Sequence, residues 1–118
     1  EARGALQPVP TEELVRRVRS GDVTIIDVRP REEYDAGHLP GAISMPLAEL
    51  GARVRELPAS RDVVAYCRGP YCVMAMDAVD LLRRRGRRAH RLELGVADWR
   101  ARGWRLDGIR GRVAGARA

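Results

Sequence analysis

Apolar and polar positions along this chain divide it into short strands and helices that take turns. TEELVRRVRSG, residues 11–21, opens with Thr11 as an N-cap, sets Leu14, Val15 and Val18 on one face, and stops at Gly21. VTIIDV, residues 23–28, is a β-branched apolar run with too little alternation for a half-exposed strand, so it reads as buried and parallel. PREEYDAG, residues 30–37, predicts a helical turn: Pro30 suits the first helical position, the acids favour the N-terminus, and Gly37 ends it. A loop then leads to a short strand around Ala42 to Met45, and LAELGARVRELP, residues 47–58, predicts a second amphipathic helix. RDVVAYC, residues 61–67, is the second buried strand. The longest helix is expected over 71–85, where Ala75, Ala78, Val79 and Leu82 repeat at i, i+3, i+4 and i+7. RAHRLEL, residues 88–94, is a further strand, followed by the helix VADWRARG. This alternation predicts an α/β fold with a parallel sheet covered by helices on both faces.

The segment before Pro10 lacks periodicity and reads as a linker, residues 1–9; residues 10–107 read as one domain, and 108–118 as a basic flexible tail. A chain of 118 residues holds a single domain and can fold without staples. It has no apolar run long enough to span a membrane and no signal-peptide pattern, so no membrane is expected and a cytoplasmic setting is the default. It begins without Met, as a processed form or a piece of a longer protein would.

Charge changes the picture only partly. The net charge is +6, and all 22 basic residues are Arg. Six of them crowd into RRRGRRAHR, residues 83–91, and three (Arg110, Arg112, Arg117) lie in the tail. Such clusters suit nucleic acid or small anions, but aromatics for base stacking are scarce. The plainer reading is a solvated helix end, and no direct nucleic-acid contact by this domain is expected.

The candidate chemistry lies in AYCRGPYCVMA, residues 65–75, which holds both cysteines, Cys67 and Cys72. Two cysteines make no disulfide framework, and with only His38 and His90 elsewhere they are a poor zinc site, so no metal or cofactor is expected. The loop Cys67-Arg68-Gly69-Pro70-Tyr71-Cys72, with Val73 after it, joins a strand's C-terminal end to the N-terminus of the long helix. A thiolate held there is stabilised by unpaired helix N–H groups and by the Arg68 charge. Gly69 allows a close approach by ligand; Pro70 removes one donor and stiffens the loop. The alternative is that Cys67 ends a buried strand and Cys72 packs under a helix. Position, glycine and arginine together favour a reactive Cys67 in an anion-binding loop.

Three segments resemble the rhodanese family of sulfurtransferases. IDVRPREEYDAGHLPGAISMP, residues 26–46, resembles the family's Asp-x-Arg, Glu-Tyr and Gly-His-Leu-Pro-Gly-Ala pattern. Tyr66-Cys67 opens a six-residue loop before a helix, and LELGVADWRARGW resembles the closing Leu-x-Gly-Gly-x-x-x-Trp segment. Val96 stands at the second Gly of that segment, and Trp104 where Pro is common. The resemblance implies a rhodanese-like sheet of about five strands. It implies Cys67 as a nucleophile that takes sulfur from a small anionic donor such as thiosulfate and passes it, as a persulfide, to cyanide or a thiol. A six-residue loop ending in Cys72 rather than a longer one ending in Arg argues against the related phosphatases.

Cys72 stands where family loops often carry Ser or Thr. It could donate a weak hydrogen bond, or attack the Cys67 persulfide and resolve it to a disulfide, or have no chemistry. Asp27, Arg29 and Glu33 are expected to form a structural charged network, and His38 to be a hydrogen-bonded structural residue rather than a base. Tyr34, Trp99 and Met45 are expected in the core; one of Met74 and Met76 could line the pocket mouth, though core or surface filling is the favoured role for both. CRGPYCV also resembles loops of rhodanese domains fused behind arsenic-type winged-helix repressors. That implies a second reading, a sulfur- or redox-sensing regulatory module with a fused or partner DNA-binding domain. A non-catalytic interaction domain is a third reading, which the intact Cys67 argues against.

Overall fold

Among the described residues four strands lie side by side with all neighbours parallel, in the order β2-β1-β3-β4. They are β1 (Val23–Asp27), β2 (Ile43–Ser44), β3 (Asp62–Tyr66) and β4 (Ala89–Arg91). The computed structural model describes residues 10–69 and 72–108. The helices are α1 (Thr11–Ser20), α2 (Arg31–Ala36), α3 (Leu47–Arg53), α4 (Val73–Arg84) and α5 (Val96–Ala101), with a 3-10 turn at Val54–Glu56. None of the helices among the described residues is long and apolar enough to cross a membrane.

Buried parallel strands carry apolar residues on both faces. All five residues of β1 are buried, and so are the last four of β3. Alternation along β3 sends Val63, Ala65 and Cys67 into a core with α3 and α4. It sends Val64 and Tyr66 into a second core with Leu14 of α1, Val96 of α5, and Tyr34 of α2. Helices therefore cover both faces. The expected stripe on α4 is buried at each position, Ala75, Ala78, Val79 and Leu82. Met45 and half-buried Tyr34 and Trp99 join these cores.

Some local expectations fail for a common reason. Three helices open directly after a proline, and each proline takes the cap position. The Pro10 carbonyl accepts from Leu14 N at 3.0 Å, so Thr11 is the first helical residue, not the cap. Pro30 likewise accepts from Glu33 N at 2.9 Å and sits one place before the helix it was expected to begin. A proline's fixed φ suits this position, and its missing N–H costs nothing there. On α1, Leu14 is buried but Val18 is 42% exposed, and at that end of the helix Arg17 reaches the first residue of β3, Asp62. The side chains of Thr11 and Val15 lie outside the described residues, as do the expected linker, residues 1–9, and all but Gly108 of the expected tail.

Candidate active site

In this strand order β1 has β2 on one side and β3 on the other, so chain connections diverge outside the carboxyl ends of β1 and β3. Open α/β sheets bind ligands in such a crevice. Cys67 follows the last residue of β3 and is 1% exposed. Its sulfur is bonded to that of Cys72, with the two Cα atoms 6.0 Å apart. Cys72 is half-buried and caps the 12-residue α4. The bond therefore sets the Cys67 sulfur at a helix N-terminus, whose first N–H groups lack intrahelical partners and carry partial positive charge. Cys72 N donates to Gly69 O at 3.4 Å, which closes the loop. Val73 begins α4 and is exposed. Pro70 and Tyr71 lie outside the described residues.

The loop is held from below by the segment entering α5. Val96 N donates to Cys67 O at 3.1 Å and Ala97 N to Arg68 O at 3.0 Å. This demands close backbone approach. A Cβ on Gly95 would lie 2.2 Å from Gly69 N and 2.3 Å from the Arg68 carbonyl carbon, so no other residue fits without moving the loop. Sequence reasoning assigned Gly95 no role at the site. The signal available was its place in the Leu-x-Gly segment. Val96, which departs from that segment's second glycine, buries its side chain in the core shared with Tyr66.

Beside the loop stands a buried polar cluster. Asp27 is fully buried and accepts from Arg29 N and Nε at 3.0 Å, Arg29 Nη2 at 2.7 Å and the Tyr66 hydroxyl at 2.7 Å. Arg29 Nη2 also donates to Gly37 O at 2.6 Å. The Tyr66 hydroxyl in turn accepts from Leu39 N at 3.0 Å. Burial, then the neighbouring Asp27 carboxylate, pushes the Tyr66 phenol well above its usual range, so it stays a neutral donor. His38 Nδ1 meets Tyr34 O at 2.8 Å, and its ring stacks on Tyr34 at 3.7 Å. The structure thus brings Asp27 and Arg29 together, with Glu33 at 3.9 Å from Arg29 and His38 bonded to the neighbouring backbone. Tyr66, expected only to precede the cysteine, is the residue that ties Asp27 to the loop at Leu39.

Arg68 does something the sequence did not indicate. Its guanidinium is aimed at Glu33, with Nε–Oε1 at 2.8 Å and Nη2–Oε2 at 2.6 Å. The charge expected to face a bound anion is therefore engaged by a carboxylate 35 residues away in sequence. The Arg68 hydrogen bond holds the Glu33 carboxyl below its usual range.

Two hollows flank the loop. Val28 N donates to Tyr66 O, so Val28 lies beside the exit of β3. A groove of about 540 Å³ starts there, walled by Val28, Pro30, Pro46, Leu47 and Met74. A smaller hollow of about 250 Å³ is lined by Arg29, Glu33, Arg68, Val96 and Arg100. Met74 thus lines a groove, whereas Met76 is exposed on α4.

The chain is similar to proteins of related kind. The model of the rhodanese-like domain matches residues 10–102. Over 95 residues the chain is 57% identical to the HTH-type transcriptional regulator Rv0324 of Mycobacterium tuberculosis, covering 80% of this chain and 42% of the regulator. It is 36% identical over 61 residues to a sulfurtransferase of Allochromatium vinosum, covering 51% of this chain and 57% of that protein. Among solved structures, the BH2092 protein of Bacillus halodurans superposes with a TM-score of 0.82 at 26% identity, over 99% of this chain and 84% of that one. The chain spans about half the length of these two sequence relatives. Sequence match and superposition agree with the parallel sheet and its cysteine loop: the chain belongs to the rhodanese-like domain family.

Proposed function

We propose that this chain moves sulfane sulfur from thiosulfate or a related donor to a thiophilic acceptor through a persulfide on Cys67. The observation that carries the reading is the position of the Cys67 sulfur, at the carboxyl end of β3 and against the first turn of α4. The sulfurtransferase of Allochromatium vinosum supports it as a relative. A reductant thiol first opens the Cys67–Cys72 bond. The Cys67 thiolate then attacks the outer sulfur of thiosulfate. The donor's sulfur–sulfur bond breaks, sulfite leaves with the electron pair, and the Cys67 persulfide remains. Cyanide or a thiolate attacks the outer persulfide sulfur, and Cys67 leaves as the thiolate. Loop N–H groups and helix α4 stabilise each anion in turn, joined by the charge of Arg68 once its guanidinium turns from Glu33. Gly69, Cys72 and Val73 shape the described part of the anion loop, to which Pro70 and Tyr71 belong by sequence. Asp27, Arg29, Glu33 and His38 hold the scaffold beside it.

The disulfide favours a second reading, a persulfide- or redox-sensing module of a larger regulator. Here the Cys72 thiolate attacks the inner sulfur of the Cys67 persulfide, hydrosulfide leaves, and the Cys67–Cys72 bond forms. The similarity to a transcriptional regulator supports it. Intact mass of the reduced chain after thiosulfate, then cyanide, separates the two. A gain of one sulfur that requires Cys67 and is discharged repeatedly by cyanide supports the enzyme. A loss of two hydrogens after a single turn, requiring both cysteines, supports the sensor. No mass change of either kind with wild type sinks Cys67 as a sulfur carrier.

A further inference from the structure

The arginine-rich stretch 83–91 plays no part in the chemistry above, and it is far from Cys67. It lies where β3 begins, at Asp62, and a five-residue strand separates that end from Cys67 by about 16 Å. Three of its guanidiniums, those of Arg85, Arg87 and Arg88, are pinned along the segment from α3 to β3. Arg85 Nη1 donates to Gly51 O at 3.1 Å. Arg87 Nη1 donates to Leu57 O at 2.7 Å, and its Nη2 to Val54 O at 3.3 Å. Arg88 Nη2 donates to Ser60 O at 3.0 Å. Arg83 turns back to Ala89 O.

The carbonyl partners are neutral, so they fix Arg83, Arg85 and Arg87 without cancelling their charge, whereas Arg88 also donates its Nε to Asp62 Oδ1. Among the described residues Asp62 is the carboxylate that meets the row, shared among Arg88, Arg17 and His90, while the neighbouring Arg84 is paired with Asp80. Burial lowers the proton affinity of His90, which therefore adds little charge near neutral pH. A hollow of about 590 Å³ opens between Asp62 and the 83–90 turn, and no large apolar side chain lines it. Protein partners need an apolar centre to their interfaces. A surface with charge but no such centre fits a ligand bound by charge alone. Arginine forks match phosphate oxygens, and a row held in place loses little side-chain freedom on binding.

We propose that this row, Arg83, Arg85, Arg87 and Arg88, docks the phosphate backbone of a nucleic acid without reading its bases. The inference is independent of the Cys67 chemistry and replaces the expectation of no nucleic-acid contact.

The test is fluorescence anisotropy of a labelled 20-base-pair duplex of mixed sequence with the full chain (about two helical turns). Contact with three phosphates gives a log–log salt slope of about −2.7, a loss of roughly 40-fold between 50 and 200 mM salt. The triple variant Arg85→Gln, Arg87→Gln, Arg88→Gln keeps an amide donor for each carbonyl and removes three charges. It should bind about tenfold or more weakly, with a flatter slope. A matched triple, Arg110→Gln, Arg112→Gln and Arg117→Gln, makes the same change in net charge and should retain the affinity. Equal loss in both triples overturns the proposal, as does absence of binding at 50 mM salt. Polyglutamate of equal charge that competes as well as unlabelled duplex also overturns it. If the first triple melts, exposed Arg85→Gln alone should still bind about twofold more weakly, and unchanged affinity there counts against the row.

Discussion

Two arginine–carboxylate pairs stand side by side at the carboxyl end of the sheet, and their surroundings make them different objects. Asp27 and Arg29 are 0% and 5% exposed, and both carboxylate oxygens of Asp27 are claimed by Arg29 or Tyr66. Glu33 and Arg68 have side chains 33% and 56% exposed. The first pair cannot lose a member without stranding a buried charge. The second can trade its partner for water or for an arriving anion at small cost. The same chemistry thus builds scaffold in one place and a replaceable contact in the other. Arg29 links them, with its Nη1 at 3.9 Å from Glu33.

Removing the buried carboxylate breaks the comparison most severely. Asp27→Ala leaves the buried Arg29 guanidinium with only the Gly37 carbonyl and Glu33 at 3.9 Å, and the expected loss is about 3–5 kcal/mol in urea unfolding. A loss below about 1 kcal/mol would mean that water reaches Arg29 and that the pair is no scaffold. Tyr66→Phe removes one donor to Asp27 and the acceptor for Leu39 N, with an expected loss of about 1–3 kcal/mol. An unchanged midpoint would show that the hydroxyl is dispensable. Gly95→Ala tests what carries Arg68 rather than Arg68 itself. Its Cβ cannot coexist with the Gly69 backbone, so about 1–3 kcal/mol is expected. Iodoacetamide labelling of Cys67 in the reduced Cys72→Ser background should also change rate, since the loop must shift. Wild-type stability and labelling would exclude this packing.

Most of the framework could be read from one-dimensional patterns. Apolar runs marked β1 and β3, the i, i+3, i+4, i+7 stripe marked α4, and strand-loop-helix order carried Cys67 to the carboxyl end of the sheet. What escaped were contacts between residues far apart in the chain. Arg68 finds Glu33 and Tyr66 finds Asp27 only when β1 and β3 lie in register, and Gly95 is constrained by a backbone that approaches from β3. RAHRLEL promised seven strand residues and gave three, since an edge strand pairs only along the length of its one neighbour, β3. Val18 looked apolar enough for the core but faces outward, because helical period says which residues share a face and not how far along the helix that face meets the sheet.

The exposed pair sharpens the comparison through pH and salt. Glu33 has a folded pKa below its reference of 4.5, chiefly because Arg68 donates hydrogen bonds to it. A depressed carboxylate pKa stabilises the fold above the unfolded value, and that contribution is lost as pH falls through the folded value. Glu33→Gln should therefore cost under about 1 kcal/mol at pH 7, and salt should reduce even that. The wild type and Glu33→Gln melting curves should converge as the pH is taken below 4.5 toward acid. Asp27→Ala, by contrast, should remain destabilised in high salt, since its charges are shielded from solvent ions. A Glu33→Gln penalty as large as that of Asp27→Ala, or one that grows in acid, would mean that the two pairs form one buried network, and Arg68 would then have no freedom to turn from Glu33 to an anion at the loop.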